Sequence, residues 1–203
     1  MKLLGILCAC KNSTDNQVYI PVREYEDSSI SVFSRGTVRD SFKFIVRESF
    51  VGIQKGTRHE VKHEDYFVYI LASLNHNVIA YAFTEGAYPA RRVIYQGLQK
   101  ALDGFFQKLG NGYQAIKSDE KIQIPAVQQV LKDYSDPAKV DQLIKVQNKV
   151  DEIQVILHEN INKLLEAQGD LDVLVEKSKD LSAASKTLYK NSKKMNKKCC
   201  NIF

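Results

Sequence analysis

The sequence lacks any uninterrupted apolar run as long as the ~18 residues that a transmembrane helix requires. It also lacks the pattern Gly-x-x-x-x-Gly-Lys-Ser/Thr, which argues against a phosphate-binding loop of the small-GTPase kind. Residues 2–11 form a short apolar run, but this run is too brief for a secretory signal and has the composition of a buried strand. A membrane-spanning helix, a secretory leader and a nucleotide-binding loop are therefore not expected.

Cysteine is scarce, with four in the chain, and only two of these precede the carboxyl-terminal tail. Cys8 and Cys10 are two residues apart, so they share one face of a strand and are poorly placed to bond to each other. We expect both to be reduced, small core residues of a cytosolic protein.

Residues 190–203 contain lysines and no acidic side chain, so the positive charge of the chain is concentrated in this stretch. The net charge of +5 equals the number of lysines in that stretch, so the remainder is balanced. A basic tail of this kind argues against a nucleic-acid-binding face spread over a domain. The five lysines are Lys190, Lys193, Lys194, Lys197 and Lys198.

Catalytic groups do not converge in any pattern except at residues 59–63, which match the zinc-protease motif His-Glu-x-x-His. That motif binds zinc only on a helix, where its two histidines share a face. Here the segment follows Gly56-Thr57 and has strand-type spacing, which would place His59 and His63 ~13 Å apart. We therefore expect no metal and no cofactor, and a zinc hydrolase is the weakest of three functional hypotheses.

The carboxyl end carries the most informative pattern in the chain. Cys200 is fourth from the end, as a C-a-a-X prenylation signal requires, and Cys199 offers a second thiol for an acyl or prenyl chain. Phe203 at the last position favours a geranylgeranyl group. Asn201 is not aliphatic, and a chance match beside a solvated basic helix end is the alternative.

A lipid near a basic patch predicts a membrane anchor. A single lipid binds a membrane reversibly, whereas two lipids, or one lipid and a polybasic patch, hold a protein firmly. Each lysine near an anionic leaflet adds roughly 1 kcal/mol. Residues 199–203 are therefore predicted to be a lipidation tail, and the membrane-proximal basic residues are Lys193, Lys194, Lys197 and Lys198.

Strand and helix patterns are mixed over residues 1–135. Alternation and turn signals predict five strands, at residues 2–11, 18–25, 57–62, 66–74 and 78–83. Helical spacing covers residues 37–53, a stretch after Pro89, and residues 125–134. The order strand, strand, helix, three strands, helix, helix is typical of an α+β domain with a mostly antiparallel sheet flanked by helices.

The pattern changes after Pro137 to a heptad repeat that no proline interrupts. Such a repeat predicts a long coiled-coil helix over residues 139–198, called here the seam segment. A lone helix would expose its apolar stripe, so the segment must meet partner helices or fold back onto the first domain, and a helix of its own bundle is the alternative. The seam consists of Leu143, Val146, Val150, Ile153, Leu157, Asn160, Leu164, Ala167, Leu171, Leu174, Ser178, Leu181, Ser185, Leu188, Ser192 and Met195.

These segments resemble the R-SNAREs that carry an amino-terminal longin domain, over essentially the whole chain. The most specific matches are Leu164-Leu165-Glu166, residues 171–175 and Cys199-Cys200, and the closest likeness is to members with a prenylated Cys-Cys tail. Met1-Lys2-Leu3, residues 55–58, Asp65-Tyr66 and Tyr88-Pro89 look like the longin part. The resemblance implies a profilin-like longin domain over residues 1–135, a SNARE motif over 139–198 and the lipidation tail.

The resemblance also implies a non-enzymatic mechanism. The seam would join three glutamine-SNARE helices in a parallel four-helix bundle whose folding draws two membranes together. The longin domain would cover the SNARE helix or the lipid, giving a form that cycles between cytoplasm and the cytosolic face of Golgi, endosomal or vesicle membranes. Its groove is expected from Phe42, Phe44, Ile45 and Val46. Phe44 has the greatest weight, and an ordinary core aromatic is the alternative.

Ala167 departs from the family pattern, because counting layers places the central arginine of the family at this position. Alanine has no guanidinium to meet three partner glutamines, and each buried amide left unpaired costs roughly 1–3 kcal/mol. Gln168 would supply a fourth glutamine if the helix contained a local stutter. Two functions therefore stay open, namely a fusion SNARE and a SNARE-like regulator that sequesters glutamine-SNAREs without fusion.

Overall fold

The computed structural model describes residues 1–26, 28–146, 153–165, 169–187 and 189. The strands are β1 Lys2–Lys11, β2 Val18–Tyr25, β3 Arg58–His63, β4 Tyr66–Ala72, β5 Val78–Glu85 and β6 Ile156–His158. The helices are α1 Val32–Ser49, α2 Arg91–Leu109, α3 Pro125–Ser135, α4 Pro137–Val146, α5 Ile161–Leu165 and α6 Leu171–Lys177.

The strands form one sheet in the order β2-β1-β5-β4-β3-β6. All pairings are antiparallel except that of β6, which runs parallel to β3 at the edge of the sheet. The prediction of an α+β domain with five mostly antiparallel strands is confirmed for β1–β5. The count is corrected to six, because the seam segment contributes a strand that its heptad spacing does not predict.

Helices cover both faces of the sheet, and each face has its own apolar cluster. The α2 and α3 helices pack on one face and α1 on the other, because successive side chains of a strand point to opposite sides. Cys8 and Cys10 lie together in the α2–α3 cluster as buried free thiols, as their spacing predicts. Burial raises the pKa of both thiols to about 12, so they are unreactive at neutral pH.

The α2 and α3 helices pack closely on one face of the sheet, with the backbone of α2 against an aromatic ring of α3. Pro125 occupies the first turn of α3, where its missing N–H leaves no helical bond unmade. A Cβ atom at Gly97 on α2 would lie only 2.7 Å from the ring of Tyr134 on α3. The contact between the two helices therefore requires glycine at position 97.

The described part of the seam segment is divided into short elements, whereas the heptad repeat predicts a single helix. It comprises α4, β6, α5, α6 and helical residues 183–187. Gly169 has a φ of +125°, outside the helical region, and the Asp170 side chain then accepts a hydrogen bond from the backbone N–H of Asp172 to start α6. In the described ranges, no helix is both long enough and apolar enough to traverse a lipid bilayer.

Candidate functional site

The seam segment passes around the edge of the sheet and packs on both of its faces. Leu143 and Ile153 pack, half-buried, against the α2–α3 cluster. Beyond β6 the chain crosses to the other face, where Ile161 and Leu164 are buried in the α1 cluster. The described part of the seam segment therefore folds back onto the first domain, which is one of the two arrangements expected for its apolar stripe.

The residues predicted to form the groove lie on α1, in the apolar cluster that receives the seam segment. The ring of Phe42 stacks on that of Phe83 on β5, with their centroids 4.0 Å apart. Leu165 of α5 is 1 % exposed in the same cluster, and α5 contacts both α1 and β3. Of the predicted groove residues, Phe42, Phe44 and Val46 are buried and Ile45 is half-buried.

The seam residues from β6 onward differ in how deeply they are buried. Leu157 on β6 is 61 % exposed, the clearest exception to burial among the described seam positions. Asn160 is half-buried, and its side chain accepts a hydrogen bond from the N–H of Lys163 at the start of α5. Buried positions are Leu164, Ser178 and Ser185, and half-buried positions packed on the α1 cluster are Leu171, Leu174 and Leu181.

Some predicted positions lie outside the described residues. They are the seam positions Val150, Ala167, Leu188, Ser192 and Met195, the basic residues Lys193, Lys194, Lys197 and Lys198, and the lipidation sites Cys199 and Cys200. Val146 ends α4. The expectations for the tail and for the central layer stay predictions.

In the α1 cluster, three buried apolar residues of the seam segment belong to no predicted layer. Ile161, Leu165 and Val175 are all in the α1 cluster, with exposures of 9 %, 1 % and 2 %. Each follows a seam position by one residue, so a second apolar stripe runs beside the seam. This stripe is visible in the sequence, but the heptad seam alone does not select it.

Arg47 on α1 ties the seam segment to the domain through buried ion pairs. Its Nε donates to Oδ2 of Asp180 at 2.6 Å, and its Nη2 donates to Oδ1 of Asp180 at 3.1 Å and to Oδ2 of Asp119 at 2.6 Å. Its Nη1 donates to the carbonyl of Val18. The side chains of Arg47 and Asp180 are only 10 % and 6 % exposed.

The Arg47 guanidinium stays charged in this site. Burial acts to lower its pKa, but the hydrogen bonds and negative charges of Asp180 and Asp119 outweigh burial and raise the pKa of Arg47. Asp180 is positioned by Ser178, whose Oγ accepts a hydrogen bond from the N–H of Asp180 just after α6 ends. Sequence reasoning missed this pair, because nothing local relates residues 133 positions apart.

Ser185 makes a second polar contact with α1. Its Oγ donates to Oδ2 of Asp40 at 3.4 Å, and its backbone N–H donates to Oγ of Ser182, which starts the helical turn at residues 183–187. A small hydroxyl at this seam position therefore lets the turn lie close to α1. Together with Arg47–Asp180, this contact adds directional polar bonds to the apolar interface between the seam segment and α1.

A histidine pair joins β6 to β3. Nδ1 of His59 and Nε2 of His158 are 2.9 Å apart, and Nε2 of His59 is 2.8 Å from Oγ1 of Thr57. Burial, and then the charge of His158, lower the pKa of His59 to about 4. Burial also lowers the pKa of His158. Both imidazoles are therefore neutral at neutral pH, so one ring can donate to the other.

The His-Glu-x-x-His match lies in β3, which confirms the strand prediction. Glu60 points to the α2 side of the sheet, where Arg91 donates two hydrogen bonds to its carboxylate. His63 is exposed, and the partner of His59 is His158. Among residues with assigned positions, no three His, Cys, Asp or Glu side chains are grouped so that they could hold a metal ion.

Comparison with known proteins identifies related chains over most of this sequence. The synaptobrevin family profile matches residues 142–201. The VAMP-like proteins YKT61 and YKT62 of Arabidopsis thaliana are each 34 % identical, covering 87 % and 84 % of this chain and 86 % and 83 % of their own. The synaptobrevin homolog YKT6 of Yarrowia lipolytica is 33 % identical over 87 % of this chain and 88 % of its own.

Proposed function

The chain belongs to the longin-domain R-SNAREs, non-enzymatic proteins of vesicle trafficking, and from this we propose that it is a lipid-anchored fusion SNARE restrained by its own longin domain. In the proposed active form, the seam zips with glutamine-SNAREs into a parallel four-helix bundle. The proposed sites of action are the cytosolic faces of Golgi, endosomal or vesicle membranes.

Competition for one apolar surface is the observation that carries this proposal. Leu164 is buried and Leu171 and Leu174 are half-buried against the α1 cluster, and the same side chains are the proposed layers of the bundle. One apolar stripe cannot be buried in both places at once. Burial stabilises by about 25 cal/mol per Å² of apolar surface. The equilibrium therefore favours whichever of the two, the longin domain or the glutamine-SNARE helices, covers more of the stripe.

The proposed anchor consists of a prenyl group on Cys200, a second lipid on Cys199 and the four membrane-proximal lysines. Lipid and basic charge together would hold the carboxyl end of the bundle at the membrane while zippering pulls on it. The α1 cluster of the longin domain, which includes Phe42, Phe44, Ile45 and Val46, is the proposed cover for the seam segment in the inactive form.

Reconstituted lipid mixing tests this function. The chain, with Cys199→Ser, is coupled through Cys200 to maleimide lipid on one set of liposomes, and a glutamine-SNARE set is placed on the other. The buried thiols of Cys8 and Cys10, whose pKa is raised to about 12, do not compete for the maleimide. Lipid mixing is expected, and Leu171→Asp is expected to abolish it, because a charge would enter an apolar layer.

Val173→Asp is the matched control, since Val173 lies on the same helix, is 46 % exposed and is not a seam residue. It should mix lipids as the unaltered chain does. Equal loss of mixing in the two variants would contradict a bundle built on the seam.

A second function, a regulator that sequesters glutamine-SNAREs without fusion, is favoured by Ala167 alone. An alanine at the central layer leaves three partner amides without an arginine. Stable four-helix complexes that form without any lipid mixing would establish this function in place of the first.

A further inference from the structure

The contact between β6 and the longin domain is short and is centred on two titratable rings. β6 has only three residues, paired with β3 in the register His59↔Ile156 and Val61↔His158. Its side chains Ile156 and Leu157 are 48 % and 61 % exposed, so they contribute little apolar burial. The principal side-chain link across this strand pair is His59 to His158, whose rings lie nearly parallel with centroids 5.2 Å apart.

We propose that His59 and His158 form a proton-sensitive latch, which holds the seam segment on the longin domain at neutral pH and releases it on acidification. The proposal deepens the restraint described under the proposed function and rests on it. The latch responds to protonation of the two imidazole rings.

The chemistry of the pair requires a neutral ring. With both imidazoles neutral, one nitrogen donates its proton and the facing nitrogen accepts it across 2.9 Å. With both rings protonated, both facing nitrogens are donors, the hydrogen bond is lost, and two positive charges face each other. The first proton must also enter a site that burial keeps unfavourable for charge.

The surroundings offer the protonated rings no buried counter-charge among the described contacts. On the face that carries the pair, β4 contributes Ile70 opposite His59, and the titratable or charged residues nearby in the chain are exposed. These exposed residues are His63 on β3, Glu159 after β6 and Lys163 on α5. On the other face, Glu60 pairs with Arg91, and the Tyr95 hydroxyl donates to the backbone carbonyl of His59.

Proton linkage determines the direction in which pH shifts the equilibrium between the closed and released forms. A released histidine has a pKa of about 6.5, above the lowered value of the closed form, so the released form binds more protons. The latch is fully made above pH 6.5 and weakens as the pH falls toward the pKa of about 4 that burial gives His59. Between pH 6.5 and pH 5.5, His59 alone lowers the closed-to-released ratio about fivefold, and the lowered pKa of His158 decreases the ratio further.

Energy transfer between two dyes on the full-length chain measures the latch directly. The dyes are attached at Asp103→Cys on α2 and Glu159→Cys beside β6, both exposed positions, with Cys199 and Cys200 replaced by Ser. Transfer is followed from pH 7.5 to pH 5.5. The unaltered histidines should give a closed-to-released ratio at least about fivefold lower at pH 5.5 than at pH 6.5.

Two histidine variants complete the test. The double variant His59→Gln, His158→Gln keeps donor and acceptor groups that do not titrate, so its transfer should not change with pH. His63→Gln, an exposed histidine on the same strand, should behave as the unaltered chain does. A pH response that survives unchanged in the double variant, or no response in the unaltered chain, would overturn the latch.

A titration of the histidine ring signals by NMR covers the case in which the double variant no longer closes. In the unlabelled chain, the ring signals of His59 and His158 should titrate below pH 6.5, and titration of both near pH 6.5 would overturn the proposal. Neither measurement contains glutamine-SNAREs or a membrane. A failed latch therefore leaves the fusion proposal standing, and failed lipid mixing leaves the latch standing.

Discussion

Asp180 accepts two hydrogen bonds from the guanidinium of Arg47, at 2.6 and 3.1 Å, so a buried charge pair ties the seam segment to α1 just after α6. The apolar part of the interface lies between this pair and the β6 edge, where Leu164, Leu165 and Val175 are buried. The charge pair therefore fixes the position of residue 180 on α1, and apolar burial supplies most of the attachment.

Replacing Arg47 by Gln should release the seam segment. The Asp180 carboxylate would stay buried without its partner, and breaking a buried ion pair costs roughly 3 kcal/mol. Release lets Asp180 reach water, so the cost falls on the closed form. The rate of capture by a soluble glutamine-SNARE complex should rise on the order of 100-fold, measured by fluorescence anisotropy.

Arg91→Gln is the matched control for this prediction. Arg91 also forms an ion pair on the sheet, with Glu60, but both partners lie within the longin domain. Its capture rate should equal that of the unaltered chain. Equal rates for Arg47→Gln and the unaltered chain would show that the buried pair does not restrain the segment.

Two leucines of the seam segment should have opposite effects. Leu165 is 1 % exposed in the closed form but is not a seam residue, and Leu165→Ala should weaken closure by roughly 2–5 kcal/mol. Leu157 is a predicted layer that is 61 % exposed here, so Leu157→Ala should change closure by less than about 0.5 kcal/mol and destabilise the bundle instead.

Hydrogen exchange in α5 reports closure, and the melting temperature of the glutamine-SNARE complex reports the bundle. Leu165→Ala should speed exchange with a small change in melting temperature, and Leu157→Ala should do the reverse. Parallel effects of the two variants in both measurements would mean that closed form and bundle do not use different faces of the segment.

Ala167→Arg should tighten assembly with glutamine-SNAREs. An arginine would pair three buried amides, each of which costs roughly 1–3 kcal/mol when unsatisfied. The midpoint of complex dissociation in denaturant is the measurement, with Ala184→Arg, an exposed position outside the seam, as control. An unchanged midpoint would mean that Gln168 already completes the central layer.

Replacing Lys193, Lys194, Lys197 and Lys198 by Ser should weaken membrane binding of the prenylated chain. Each lysine near an anionic leaflet contributes roughly 1 kcal/mol, so flotation with phosphatidylserine liposomes should decrease strongly. Binding to neutral phosphatidylcholine liposomes should not change, because the lipid anchor is the same. Equal binding of both proteins to anionic liposomes would exclude a role for the basic tail.

The sheet and its flanking helices were predictable because their signals are local. The short, nearly continuous apolar runs of β1 and β5 and the polar turn at residues 75–77 place these strands within a few residues of their observed ends. The start of α1 at Val32 rather than at residue 37 was missed, because its first turn exposes Val32 and Phe33 and so shows no apolar period.

The closed site was predictable only in part. Phe42 and Val46 have helical spacing, Phe44 was expected from the family resemblance, and the structure buries all three in the cluster that receives the seam segment. The strand β6, the pair Arg47–Asp180 and the pair His59–His158 have no local signal. Each depends on residues about 100 or more positions apart in the chain being brought together by the fold.

By itself, the sequence determined that the seam segment carries an apolar stripe too long to stay in water, and that Cys199 and Cys200 directly follow Lys197 and Lys198. Only the tertiary structure decided where the described part of that stripe is buried. Hydrophobic burial has no direction, so a heptad repeat is satisfied equally by partner helices or by its own domain. The buried charge pair and the histidine pair distinguish these outcomes, because directional polar contacts form only where the fold brings distant residues together.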